Sequence, residues 1–228
     1  MSKIIGNPFK NNEIIKKILD KPVFSEKYIF NETEFREEIL SKIKDDMSVL
    51  DIGKSMRDKY SKLICKEKKT LDLNIFDGYP DYQFDLSGEL IDEKSTLFKK
   101  FDVVICLAVL EHVYNPFNAI SNIKSILKKD GVLFGYVPFL YHYHAPKNLE
   151  FQDFYRYSKD GLAFLLKDFK EVKLYPVRGR LSSSMHILIG SIWKKYFEKF
   201  KINSFLDRFS SNEKNKTQCS GYNFIAKL

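Results

Sequence analysis

The clearest pattern along the chain is an alternation of short apolar runs with longer segments whose apolar residues recur at helical spacing. Phe101 to Leu107 is the most continuous apolar run and reads as a buried strand, with Ser48 to Gly53 as an earlier core strand entering a turn and Val132 to Val137 as a later one. After the first strand, Met56, Tyr60, Leu63 and Ile64 predict the inward stripe of a helix. A second helix opens at Asn115-Pro116, presents Phe117, Ile120, Ile123, Ile126 and Leu127, and is stopped by Asp130-Gly131. Thr70 to Leu73 and the segment through Asp85-Leu86 predict short strands, Lys159 to Leu166 a helix and Glu171 to Val177 a strand. Leu181 to Phe209 reads as a helical excursion, Ser210 to Ser220 as a surface loop and Tyr222 to Leu228 as a closing edge strand. Ahead of all this, Ile4 to Lys44 reads as a helical approach segment broken at Pro8 and Pro22, with Phe35, Ile39 and Ile43 at helical spacing.

Repeated strand–helix–strand units predict an α/β fold on a mostly parallel sheet, because parallel strands need crossovers that helices can cover. The length of 228 residues fits one domain: an N-terminal helical segment over 1–45, a core over 46–178, and the excursion with its closing strand over 179–228. With 44% hydrophobic and 30% charged residues, extensive disorder is not expected. No apolar run is long enough to span a bilayer and Met1 to Lys21 lacks a secretory apolar centre, so the expected location is cytoplasmic. Cys65, Cys106 and Cys219 are odd in number and widely spaced, as reduced thiols are. The net charge of +8 favours an anionic partner, whether nucleic acid, a nucleotide or other small phosphorylated acceptor, or a membrane surface contacted peripherally, and does not choose between them. No specific nucleic-acid partner is predicted, since the excess is scattered or gathered at Lys194, Lys195, Lys199 and Lys201 without a base-reading motif. Oligomeric state leaves no mark on the sequence.

Open α/β sheets bind ligands at the carboxyl ends of their strands, which directs attention to Gly53, Asp72, Asp85-Leu86 and the turn from Leu107 to His112. Gly53 would let backbone approach a ligand, or simply turn the chain. Asp72 would accept from ribose hydroxyls, or sit at a wet strand end. Gly53-Lys54-Ser55 is not a phosphate loop, because Ser48 stands where that pattern requires its first glycine, and no dinucleotide-type glycine set follows. The four histidines, His112, His142, His144 and His186, show no diagnostic ligand spacing, so no metal is expected.

Taken together, Val49-Leu50-Asp51-Ile52-Gly53, Leu71-Asp72-Leu73, Asp85-Leu86, Phe101 to Cys106 followed by Val109-Leu110-Glu111-His112-Val113, and Ile126 to Leu133 resemble the class I S-adenosylmethionine-dependent methyltransferases, especially bacterial small-molecule enzymes of surface-polysaccharide pathways. The likeness runs from Val49 through Val177, and Gly221 to Lys227 looks like that family's final strand. It implies a seven-stranded Rossmann-like methyltransferase sheet with flanking helices, an antiparallel final strand and a helical excursion before it. It further implies S-adenosyl-L-methionine as cofactor, bound by Asp51, Ile52, Gly53, Lys54, Asp72, Leu73, Asp85, Leu86, Leu107 and His112. One departure is Lys54-Ser55-Met56-Arg57, which replaces the usual glycine-rich continuation and predicts a different loop path.

The implied reaction is methyl transfer to an oxygen of a small sugar, sugar nucleotide or phosphorylated precursor in surface-glycan synthesis. A noncatalytic nucleotide-binding or assembly protein and a nucleic-acid methyltransferase are the alternatives. His144 and, second, His142 are the candidate catalytic bases, because they follow a core strand at the expected mouth of the sheet. Tyr141, Tyr155 and Arg156 are the candidate acceptor contacts, with Arg156 either gripping an anion or pairing with Asp153 or Asp160.

Overall fold

The computed structural model describes residues 12–25, 32–75, 77–146, 151–189 and 202–228. Its strands are β1 (Pro22–Phe24), β2 (Ser48–Ile52), β3 (Glu67–Asp72), β4 (Tyr82–Gln83), β5 (Phe101–Leu107), β6 (Leu127–Pro138), β7 (Glu171–Val177) and β8 (Gly221–Lys227). They form one sheet in the order β1-β7-β8-β6-β5-β2-β3-β4. Every pairing is parallel except those of β8 with β6 and β7. The helices are α1 (Glu13–Asp20), α2 (Glu32–Leu40), α3 (Pro116–Ile126), α4 (Lys159–Leu165), α5 (Arg180–Ile189), α6 (Ile202–Asp207) and α7 (Asn212–Thr217), with 3₁₀ turns at Arg57–Lys62 and Leu110–His112.

Alternate residues of the central strands feed two cores, as the two-residue repeat of a strand requires. Leu50, Val104, Leu133, Leu174 and Phe224 meet α3 and α4 on one face. On the other, Val49, Val103, Ile105 and Phe134 meet Phe35 and Ile39 of α2. Helix α2 therefore packs on the sheet, as the spacing of Phe35 and Ile39 predicts.

Several expectations are corrected. The sheet has eight strands among the described residues rather than seven, because Pro22–Phe24, inside the segment read as helical, pairs in parallel with β7. The closing strand is no edge: β8 lies between β6 and β7, with Tyr222, Phe224 and Ala226 fully buried. The stripe after β2 makes only a 3₁₀ turn, burying Met56 and Leu63 while Ile64 is exposed. Helix α3 ends at Ile126, with β6 beginning at Leu127 before Asp130-Gly131, and Phe117 faces outward. Ser210 to Ser220 is not simply a loop, since it holds α7 and buries Asn215, Cys219 and Ser220. The second acidic strand starts earlier, at Glu67, and the third is only Tyr82–Gln83. The lysine cluster at 194–201 and the middle of the excursion lie outside the described residues. The three cysteines are free thiols, and among the described residues no helix is long and apolar enough to cross a membrane.

Candidate active site

Parallel pairing of β5, β2, β3 and β4 brings the carboxyl ends of these strands to one rim. At the end of β2 the chain turns through Gly53, whose φ of +66° suits a residue without a side chain. A Cβ there would come within 2.7 Å of Val109 Cγ2. Gly53 and Lys54 are exposed at this turn while Asp51, Ile52, Ser55 and Met56 are buried, so backbone is presented outward on an internally fastened loop. The fastening replaces the missing glycines. The Asp51 carboxylate accepts from the Met56 amide at 3.0 Å, Ser55 Oγ accepts from the Leu107 amide of β5 at 2.7 Å, and Arg36 Nε of α2 donates to the Ser55 carbonyl at 2.8 Å. Burial pushes the Asp51 carboxyl up to about 7, against the opposing pull of the Met56 and Ser55 amides and Arg36.

Half-buried Asp72 and Asp85 follow on the same rim. Asp72 accepts from the Asn74 amide at 3.1 Å and from the Tyr79 hydroxyl at 2.8 Å, and Lys54 Nζ lies 4.3 Å from the centre of that tyrosine ring. Asp85 accepts from the Ser87 amide at 2.8 Å. The loop behind it is set by buried Asn122 of α3, which donates to the carbonyls of Leu86 and Glu89 and accepts from the Ile91 amide. Leu86 and Leu107 are core residues, whereas Leu73 points to solvent.

Beyond β5 the 3₁₀ turn places buried Glu111 beside His112, and the segment after β6 brings His144 onto both. His112 Nε2 and His144 Nε2 are 3.2 Å apart, and Glu111 Oε1 is 3.8 Å from each. His112 Nδ1 donates to the Gln152 carbonyl at 2.6 Å. Burial holds the His112 imidazole below its usual pKa. The backbone amide of His144 donates to Asp153 at 2.9 Å. Asp153 also takes the Arg156 guanidinium. Burial acts against its ionisation, but Arg156 and the His144 amide outweigh this and bring Asp153 down to about 2.

Arg156 therefore has the Asp153 partner that the sequence offered as one of its two roles, and it also donates to the carbonyls of Tyr141 and His142. An anionic acceptor would have to compete with these bonds. Tyr141 stacks on His142, with ring centres 4.3 Å apart, and on His186 at 5.6 Å. Exposed Tyr155 donates to the Tyr114 carbonyl at 2.9 Å. Of the two candidate bases, His144 joins the cluster while His142 stays exposed beside it. Glu111 and Asp153 lie outside the site residues that the sequence pattern marks. Their signals are the adjacency of Glu111 to His112 and the three-residue spacing of Asp153 from Arg156.

Comparison with known proteins agrees with this fold. Residues 26–171, more than half of the chain, match the family model described as a methyltransferase domain. An S-adenosylmethionine-dependent methyltransferase from Archaeoglobus fulgidus superposes with a TM-score of 0.53 at 18% identity, over 86% of this chain and 92% of that one. The phosphoethanolamine N-methyltransferase 2 of Haemonchus contortus, solved with S-adenosyl-L-methionine, gives 0.52 at 14% identity, over 100% of this chain and 61% of that one. In sequence, 36 residues are 53% identical to the ubiquinone biosynthesis O-methyltransferase of Glaesserella parasuis, covering 16% of this chain and 15% of that protein. A stretch of 55 residues is 40% identical to the protein of the same name in Histophilus somni, covering 24% and 23%.

The chain belongs to the methyltransferase-domain family, on the fold of the S-adenosylmethionine-dependent class. S-adenosylmethionine is the cofactor of that class, and the residues present fit it: an exposed left-handed glycine with no room for a Cβ, followed by carboxylates at the next two strand ends.

Proposed function

We propose that this protein transfers a methyl group from S-adenosylmethionine to an oxygen of a small acceptor held at the ends of β5 and β6. The observation that carries the reading is the meeting of His112, His144 and Glu111 on the rim that also bears Gly53, Asp72 and Asp85. In its bound form the cofactor supplies an electrophilic methyl carbon, so the acceptor needs alignment and loss of a proton rather than a covalent link to the enzyme. Gly53 and Lys54 would face the methionine portion, Asp72 the ribose hydroxyls and Asp85 the base. Asp72 would exchange its Tyr79 partner for the ribose. The cluster would receive or weaken the acceptor's hydroxyl proton, with His144 oriented by Asp153.

Oxygen is favoured over carbon by the histidine cluster and by the name of the partial relatives, which also supports an acceptor from ubiquinone biosynthesis. The sugar-type acceptor suggested by the resemblance forms the other arm of the test. Calorimetry should show saturable binding of S-adenosylmethionine or its demethylated product. Asp72→Ala should weaken it roughly tenfold, consistent with loss of a good polar contact, while Lys124→Ala, at a half-buried lysine of α3 paired with Asp168, leaves it unchanged. A methyl-release screen across phenols, sugars and sugar nucleotides then identifies the acceptor. Absence of cofactor binding by folded protein would reject the reading.

A further inference from the structure

We propose that Glu111, His112 and His144 form a binding site for a divalent cation of the zinc type. One donor atom from each residue lies within 4.8 Å of the other two, although the histidines come from different strand ends. The outer nitrogens fix what the inner ones present. His112 Nδ1 faces the Gln152 carbonyl, which only accepts, so the proton of the neutral ring sits on Nδ1 and Nε2 carries a lone pair. His144 Nδ1 lies 3.3 Å from the His142 carbonyl and 3.3 Å from the Asp153 carboxylate. Those two acceptors outweigh the longer Arg156 contact at 3.4 Å, which again leaves Nε2 as the lone-pair atom.

Two lone pairs facing each other across 3.2 Å repel unless something positive lies between them. The spacing suits a metal, since two nitrogens each about 2.0–2.1 Å from zinc at a tetrahedral angle lie about 3.3 Å apart. A single shared proton would satisfy that distance too, but it bridges two atoms in line. Here a third donor converges, with Glu111 Oε1 equidistant at 3.8 Å from both nitrogens. Two imidazoles and a carboxylate are a donor set for zinc-type cations. Carbonyl and carboxylate contacts behind the rings are the outer support that orients metal-bound histidines. Three protein ligands leave a position for water or for the acceptor's hydroxyl, whose proton a bound cation would make easier to remove. That last role rests on the methyl-transfer reading, whereas binding itself does not.

The test titrates chelator-treated, full-length protein with cobalt, whose visible absorption reports its ligands, and then displaces it with zinc. One equivalent should bind without a thiolate charge-transfer band. His112→Ala and His144→Ala should each weaken zinc binding at least tenfold, while Cys65→Ser has no effect. Glu111 is buried and its variants are prone to misfolding, so the half-buried histidines carry the experiment. No cobalt binding at a stoichiometric excess, or binding that survives in a folded His112→Ala/His144→Ala double variant, would overturn the site. Parallel calorimetry with S-adenosylmethionine separates the two readings. Cobalt binding without cofactor binding rejects methyl transfer and keeps the metal site, and the reverse rejects the metal site alone.

Discussion

The imidazoles of His112 and His144, 32 residues apart in sequence, meet edge to face with their Nε2 atoms 3.2 Å apart. The contact exists because β5 and β6 are neighbours in parallel, so the turns that follow them emerge side by side. If this pair handles the acceptor's proton, His144→Ala should reduce turnover by roughly 10²-fold or more while cofactor affinity is little changed. His142→Ala should do much less. Steady-state rates beside calorimetric cofactor titrations check both, and a loss confined to cofactor affinity would contradict the assignment. Chelation distinguishes the forms of the mechanism: it should abolish turnover if a cation acts there, and leave turnover intact if the imidazole alone takes the proton.

Arg156 supports His144 through Asp153. Arg156→Ala should therefore lower turnover of neutral and phosphorylated acceptors by the same factor. A loss restricted to the phosphorylated acceptor would show instead that the guanidinium grips the substrate. Competition assays with matched acceptor pairs give the answer.

Asp51 makes a prediction about pH. Its native carboxyl keeps its proton up to about 7 because burial disfavours the charge, whereas an unfolded aspartate releases its proton near pH 4. Between these values the native state binds more protons, so stability should fall as pH rises from about 4 to 7, by at most about 4 kcal/mol. Asp51→Asn removes this term. Urea unfolding of both proteins across the window should give a wild-type minus variant difference that declines with pH, and parallel curves would contradict it.

Ser55 joins β2 to β5 by accepting from the Leu107 amide and donating to the Ile52 carbonyl. Ser55→Ala leaves a buried amide without that acceptor and should cost about 1–3 kcal/mol of stability. The same change should weaken cofactor binding, because the turn presenting Gly53 loses an anchor. Denaturant midpoints and calorimetry on one preparation measure both effects.

Much of this was legible in the sequence where local pattern and tertiary demand coincide. Phe101 to Leu107 and Glu171 to Val177 are strands with the expected bounds, and Gly53, Asp72 and Asp85 reach one rim. Legibility fails where tertiary pairing decides. Pro22-Val23-Phe24 has no strand pattern of its own and becomes one because β7 offers a free edge. Tyr222 to Ala226 alternates no more than an edge strand would, yet two neighbours bury it. The Glu111, His112 and His144 group has no metal-like spacing, since it is assembled across the crossover that sets β6 beside β5 rather than by one helix or loop. Arg156 allowed two roles, and only the folded position of Asp153 shows which partner it takes.

Arg36 of α2 reaches the Ser55 carbonyl and so grips the turn proposed to face the cofactor from outside the central motif. If the turn holds the cofactor as proposed, α2 is coupled to it through this one arginine. A ligand or partner settling on the helix's outer, glutamate-bearing face would reach the cofactor without touching it, by tilting the arginine that steadies Ser55. Linkage makes the influence mutual: to whatever extent α2 tightens the turn, a filled turn must protect α2 from opening by the same free energy.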